Sequence, residues 1–353
     1  MKLIFNGTRV PFYPTGIYRY AKILISALEE LEIELHLIRS NKTLKTTGTI
    51  EDIPNWLFKR KSSPLFPVYW YLYALCLRLP KNSIVISATQ HLFPFMPGQI
   101  ISLLDMRPYY APDTTLQSIY AKHLFPMSIA NIRAVITISE ASKEEIARLY
   151  KINKNIIHVV YLYSESYNSF YSRLPSNPKK PFLLMVGASF KHKNLHLALT
   201  HHAAWSPYYK LIIIATDNLY TRDMIRYAES LGISQFIDLK FKATDEEKDT
   251  LIQNATGLLY ISSMEGFGIP PLEAMGFGTP CLMSSIPVLK ELYNDAGIFF
   301  DPQTFESWQD AITQLRNSHV VTPLIEEGYK RFREFSPERT STMLKTALRK
   351  ILE

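Results

Sequence analysis

The chain has 353 residues, 47% of them apolar and 20% charged; this composition excludes a disordered protein, and the length suggests two domains. Its two cysteines, Cys76 and Cys281, supply neither a disulfide framework nor a four-cysteine zinc site. The formal charge of +7 is carried by the first half: residues 1–176 hold 20 Lys and Arg against 12 Asp and Glu, residues 177–353 hold 19 against 20, and such a basic half suits nucleic acid, an anionic membrane surface or an acidic substrate.

Polarity sets in straight after Phe5, too soon for the apolar core of a secretory signal, so a cytoplasmic protein is expected. Short β-rich apolar runs at 2–6, 34–38, 83–88, 99–104, 134–139 and 157–161 predict strands, with helices predicted over 17–31 and 143–150. The loop after the first strand reaches Gly16 at the start of the first helix. Basic residues Lys59, Arg60 and Lys61 lie just ahead of the aromatic run 66–73. Two readings fit that segment, a buried helix behind a solvated loop or peripheral contact with anionic headgroups, and neither favours nucleic acid. The longest apolar stretch, 68–77, is well short of the roughly 20 residues of a spanning helix.

Proline and lysine gather at 174–181, a candidate boundary. Beyond it, strands are predicted over 182–187, 210–215, 235–239, 257–261, 280–283 and 297–300, and helices over 245–254, 305–315 and 337–352. The alternation predicts an α/β chain of two doubly wound parallel sheets, whose ligands bind outside the carboxyl ends of the strands.

One such strand end carries the densest signal. From Tyr260 the chain reads Ile-Ser-Ser-Met-Glu-Gly-Phe-Gly-Ile-Pro-Pro-Leu-Glu-Ala-Met-Gly-Phe-Gly-Thr-Pro280, in which Pro270 and Pro271 open a helix and Gly276 and Gly278 close it. Glu265 falls in the loop and Glu273 in the first turn, where ionised carboxylates can accept from adjacent sugar hydroxyls. Amides around Phe267, Gly268 and Ile269, together with the positive helix terminus, favour a phosphate or developing negative charge. A helix whose acids merely complement its dipole would account for Glu273, but not for Glu-Gly-Phe-Gly ahead of two prolines.

This segment closely resembles the Glu-Gly-Phe-Gly-(Ile/Leu)-Pro-x-x-Glu signature of the retaining glycosyltransferases of family 4, of GT-B architecture. Weaker likeness extends to Ile136-Thr-Ile-Ser-Glu-Ala-Ser142 and to Phe335-Ser-Pro-Glu338 with its helix. The resemblance implies two Rossmann-like domains facing across a cleft: an acceptor-side domain over 1–175, a nucleotide-sugar domain over 176–336, and a helix over 337–353 returning to the first, with a hinge near 164–181. It implies that Glu273 holds the donor ribose, while Glu265 and the amides of Phe267 and Gly268 hold the transferred sugar.

Lys193, in the loop after Gly187, matches the family's phosphate lysine, and Glu265 and Lys193 are the expected catalytic pair. Where many members have an arginine after that glycine, this chain has Ala188, leaving Lys191 or His192 to replace the missing cation. Gly16 resembles the first glycine of the family's Thr-Gly-Ile-Gly-Arg-Tyr loop, which approaches the diphosphate, although a plain helix cap explains it too. The family's His-Asp pair is Leu104-Asp105 here, so Asp105 and His91 become candidates for positioning the acceptor, against the alternative that neither has a catalytic role.

The expected function is a retaining, metal-independent transfer from a nucleotide-diphosphate sugar to a hydroxyl of a glycan, a lipid-linked cell-surface polysaccharide precursor such as one for lipopolysaccharide or capsule. No Asp-x-Asp motif stands at a suitable strand end and no cofactor is expected. The inner face of the cytoplasmic membrane is open as its place of work. A catalytically silent homologue acting as a nucleotide- or glycan-binding scaffold is the alternative, favoured by Leu104 and Ala188. A dinucleotide-dependent oxidoreductase is weak, because no Gly-x-Gly-x-x-Gly follows a strand.

Overall fold

Strands and helices alternate along the computed structural model, which describes residues 3–11, 15–60, 63, 65–80, 83–93, 96–112, 114–167 and 180–353. The chain divides into a first unit, Met1–Tyr161 with Thr340–Glu353, and a second, Leu162–Arg339. The expected hinge lies largely in 168–179, outside the described residues.

In the first unit, strands β1 (Leu3–Gly7), β2 (Leu35–Arg39), β3 (Thr49–Asp52), β4 (Ile84–Ser87), β5 (Ile100–Ser102), β6 (Ala134–Thr137) and β7 (Ile157–Val159) form one sheet in the order β3-β2-β1-β4-β5-β6-β7. Every pairing in it is parallel. Its central strands are buried on both faces, which is why they read as continuous apolar runs. Strand β3 was not expected. All four of its residues are exposed, and polar partners across the edge, Arg39 with Asp52 at 2.8 Å and His36 with Thr49 at 2.7 Å, flank its register, so it carries no apolar pattern to read.

The final helix, Pro337–Leu352, buries Leu344, Leu348 and Ile351 at helical spacing. It is tied within the first unit by Thr340 Oγ1 donating to the Tyr161 carbonyl at 2.8 Å and by Lys345 to Glu30 at 2.9 Å. The aromatic run forms the helix Phe66–Cys76, which buries Phe66, Trp70, Tyr73 and Ala74 but leaves Val68, Leu72 and Leu75 exposed. The buried-helix reading therefore describes only one of its faces. No helix among the described residues is long and apolar enough to cross a membrane.

The second unit contains β8 (Lys180–Val186), β9 (Lys210–Ala215), β10 (Ile237–Phe241), β11 (Ala255–Tyr260), β12 (Cys281–Ser284) and β13 (Ile298–Phe300), in the order β10-β9-β8-β11-β12-β13. All are parallel, so the molecule is α/β with two Rossmann-like sheets. Strand order reverses between β8 and β11 here, and between β1 and β4 in the first unit. Ligands of such sheets bind where that reversal parts the loops.

Candidate active site

The loops after β8 and β11 flank the reversal in the second unit. After β8 the chain needs a left-handed residue, supplied by Gly187 at φ +72°. Its successor Ala188, where the resemblance would place an arginine, is buried and belongs to the hydrophobic core, so this position faces inward. Lys191–Lys193 then form one 3-10 turn that ends at Asn194, whose Nδ2 donates to the Ile261 carbonyl at 2.8 Å, while the Ser263 amide donates to the His192 carbonyl at 2.8 Å. These bonds hold the lysine loop against the acidic loop.

The result is a compact polar cluster. Lys193 Nζ lies 2.5 Å from Glu265 Oε1 and 3.2 Å from the hydroxyl of Tyr260, the last residue of β11. Both charged side chains are largely withdrawn from water, at 15% and 13% exposure. Burial pushes the Glu265 carboxyl up, but the Lys193 ammonium, together with hydrogen bonds from Ser262 and Tyr260, outweighs it and holds the group below its ordinary value. Burial, and then the Glu265 charge, push the Tyr260 phenol well above its usual range, so it stays protonated as a donor. Of the substitutes for the missing arginine, Lys191 is exposed and His192 stacks on Phe190 at 5.7 Å. Lys193 is the cation that reaches the acid.

Glu273 follows on the helix Ile269–Gly276, which starts after Gly268 at φ +98° with Pro270 and Pro271 in its first turn. Gly268 is required by its left-handed backbone, whereas a Cβ on Gly276 would come within 2.7 Å of Phe332 Cε2, so that glycine is dictated by packing. Phe267 places its ring among Tyr293 and Phe335 and so anchors the turn.

Glu273 is 2% exposed and its Oε1 receives Lys248 Nζ at 2.6 Å and Ser164 Oγ at 3.4 Å. Neither partner was anticipated. Lys248 reads as a solvated helix lysine until the Thr244–Glu247 capping box sets the start of the helix Asp245–Asn254 and so places Lys248 one turn inside it. Tyr260 could have been found as the last residue of the strand leading to the motif.

In the first unit, Gly16 is the first residue of the helix Gly16–Glu30, capped by Thr15, whose Oγ1 accepts from the Tyr18 amide at 3.3 Å. A Cβ there would meet nothing within 4 Å, so the fold itself does not demand glycine at this position. Part of the preceding loop, 12–14, lies outside the described residues. His91, in the loop after β4, stacks on Tyr120 at 5.7 Å, meets Trp70 edge-on at 5.8 Å, and shares a hydrogen bond with Thr89 at 3.1 Å. Burial, and then the nearby Arg9 charge, push its imidazole well below the ordinary value, so it is neutral at pH 7.

Asp105 Oδ1 instead accepts the Arg107 amide at 3.0 Å, just ahead of the short helix Arg107–Tyr110, and Leu104 precedes it half-buried. A residue missed from sequence is Arg9, in the loop after β1. Its guanidinium lies half-buried over the Phe66 ring at 4.9 Å, at the same reversal of strand order as His91.

Residues 167–337, which contain every expected donor-binding residue except Gly16, match the family described as glycosyl transferases group 1. A Salmonella typhimurium O-antigen chain mannosyltransferase is 30% identical over 323 residues, spanning 89% of this chain and 90% of the relative. The chain belongs to the glycosyl transferases group 1 family. Its GT-B fold is shared with WaaG, a glycosyltransferase involved in lipopolysaccharide biosynthesis, at TM-score 0.72 and 14% identity over 98% of this chain and 99% of that one. Anabaena HepE, solved with UDP and glucose, superposes at TM-score 0.68 with 14% identity over 99% of this chain and all of that one. The scaffold alternative finds no support among these relatives.

Proposed function

We propose that this glycosyltransferase moves a sugar, with retention of configuration and without a metal ion, from a nucleotide-diphosphate donor to a hydroxyl of a lipid-linked cell-surface polysaccharide precursor. The observation that carries the reading is the Lys193–Glu265 pair at the strand reversal, 2.5 Å apart, with Glu273 on the helix that follows. Glu273 takes the ribose, and Glu265 with the Phe267 and Gly268 amides takes the sugar. Lys193 meets the diphosphate as the anomeric C–O bond breaks and negative charge moves onto it. The acceptor oxygen bonds to the same face of the anomeric carbon, and its proton passes to the departing phosphate. Lys193 in turn exchanges part of its contact with Glu265 for the phosphate, which supplies charge where it develops.

Arg9 and neutral His91 sit at the equivalent rim of the first unit and there orient the acceptor. Mannose heads the donor panel, because the Salmonella relative is a mannosyltransferase. The excess positive charge of residues 1–176 supports work at the inner, anionic face of the cytoplasmic membrane. The test incubates purified protein with GDP- and UDP-sugars and a lipid-linked acceptor, with and without EDTA, and reads the anomeric configuration of the product by NMR. Transfer with retention in EDTA is expected. Inverted product, loss of activity in EDTA, or nucleotide binding without turnover on any donor would each overturn the corresponding part.

A further inference from the structure

Building on the lipid-linked acceptor above, we infer that the exposed face of the helix Phe66–Cys76 is an interfacial docking surface for an anionic phospholipid bilayer. The helix contains no charged residue and is apolar on every side. One face packs into the first unit through Phe66, Trp70 and Tyr73. Leu65, Val68, Leu72 and Leu75 form the opposite stripe and are 51%, 46%, 54% and 50% exposed. An all-apolar helix with one face in water lacks its second partner. At 11 residues it spans only about 16 Å, too short to cross a bilayer, so it lies in the interface plane.

Charge identifies the partner. Between Asp52 and Asp105 the sequence has no Asp or Glu, yet it carries Lys59, Arg60, Lys61, Arg78 and Lys81 on either side of this helix. The charges that flank the helix in the sequence are all cationic, and anionic headgroups over acyl chains match both that charge and the apolar stripe. Arg60 lies over the rings of Tyr69 at 5.1 Å and Trp56 at 5.9 Å, and Trp56 is 45% exposed, the amphipathic arrangement of an interface belt. Tyr71 meets Tyr120 at 6.0 Å, and the segment that follows Tyr120 also exposes apolar side chains, Leu124 and, at 78%, Met127. Arg9 stands over Phe66, so the acceptor-side loop begins where the docking helix begins.

The test is co-sedimentation of the full chain with vesicles of phosphatidylcholine alone or mixed equally with phosphatidylglycerol, at low and high salt. Salt-sensitive binding to the anionic vesicles alone is expected. Leu72→Glu with Leu75→Glu should lower the partition at least about tenfold, and Arg60→Gln with Arg78→Gln about 30-fold, with nucleotide affinity and melting temperature unchanged. A polarity-sensitive dye on exposed Cys76, with Cys281 buried, should shift to the blue on those vesicles and be quenched by brominated acyl chains. Wild-type vesicle binding by the double glutamate variant would overturn the assignment. So would its conversion of a dimer to a monomer without loss of vesicle binding, which would give the stripe to a second copy. Vesicle binding that persists while every donor fails would sink the transferase reading and leave the docking surface standing.

Discussion

Replacing Lys193 by methionine keeps the length of the side chain and removes the ammonium 2.5 Å from a carboxylate that is itself only 13% exposed. Breaking one side of a buried pair costs about 3–5 kcal/mol, and the residual exposure of both partners puts this site near the low end, about 3 kcal/mol. For a unit of this size, that is a fall in melting temperature of roughly 6–12 °C. The loss carries a pH signature. In the native protein the Glu265 carboxyl is held below its ordinary value, so its stabilisation is present above the unfolded carboxylate range and is lost as pH falls through the folded value.

Without Lys193, burial is opposed only by hydrogen bonds from Ser262 and Tyr260 and pushes the same carboxyl up, so the variant loses stability as pH rises instead. The gap between wild type and Lys193→Met should therefore widen from pH 4 to pH 8. Thermal melts of the second unit across that range, followed by fluorescence of its buried Trp205 and Trp308, read it directly. Adding Glu265→Gln to Lys193→Met should recover most of the loss. A gap that does not change with pH, or a double variant no more stable than the single one, would show that packing and not charge governs this site.

Glu273→Ala should weaken nucleotide-diphosphate binding by about 2–4 kcal/mol through two lost ribose hydrogen bonds; unchanged affinity by calorimetry would remove the ribose assignment. Lys193→Ala should lower kcat more than it raises KM for the donor, since the charge it meets develops late, and an equal effect on both would mean uniform binding. Ala188→Arg should destabilise by about 1–3 kcal/mol or more, because the side chain would enter a filled core; a variant with normal stability and faster turnover would refute the inward placement. Arg9→Met should raise the KM for acceptor while leaving donor affinity alone, and a change in donor affinity alone would move Arg9 to the other substrate.

Much of this fold was legible because its determinants are local. Alternating apolar runs placed all but one of the strands to within about two residues, and prolines and glycines between Tyr260 and Pro280 specified a turn, a helix and its end by their own backbone preferences. The motif likewise placed the two acids, one in the loop after a strand end and one on the helix that follows. Strand β3 escaped because an exposed edge strand needs no apolar alternation.

Pairings across the sheet were settled only by strand order. It is the adjacency of β8 and β11 that brings Lys193 to Glu265 and Tyr260, and the packing of a separately capped helix that delivers Lys248 to Glu273. The same holds for the helix Phe66–Cys76, whose composition is equally apolar on both faces. Which face meets the core and which meets water depends on the neighbours a helix acquires in three dimensions, and no periodicity within it records that choice.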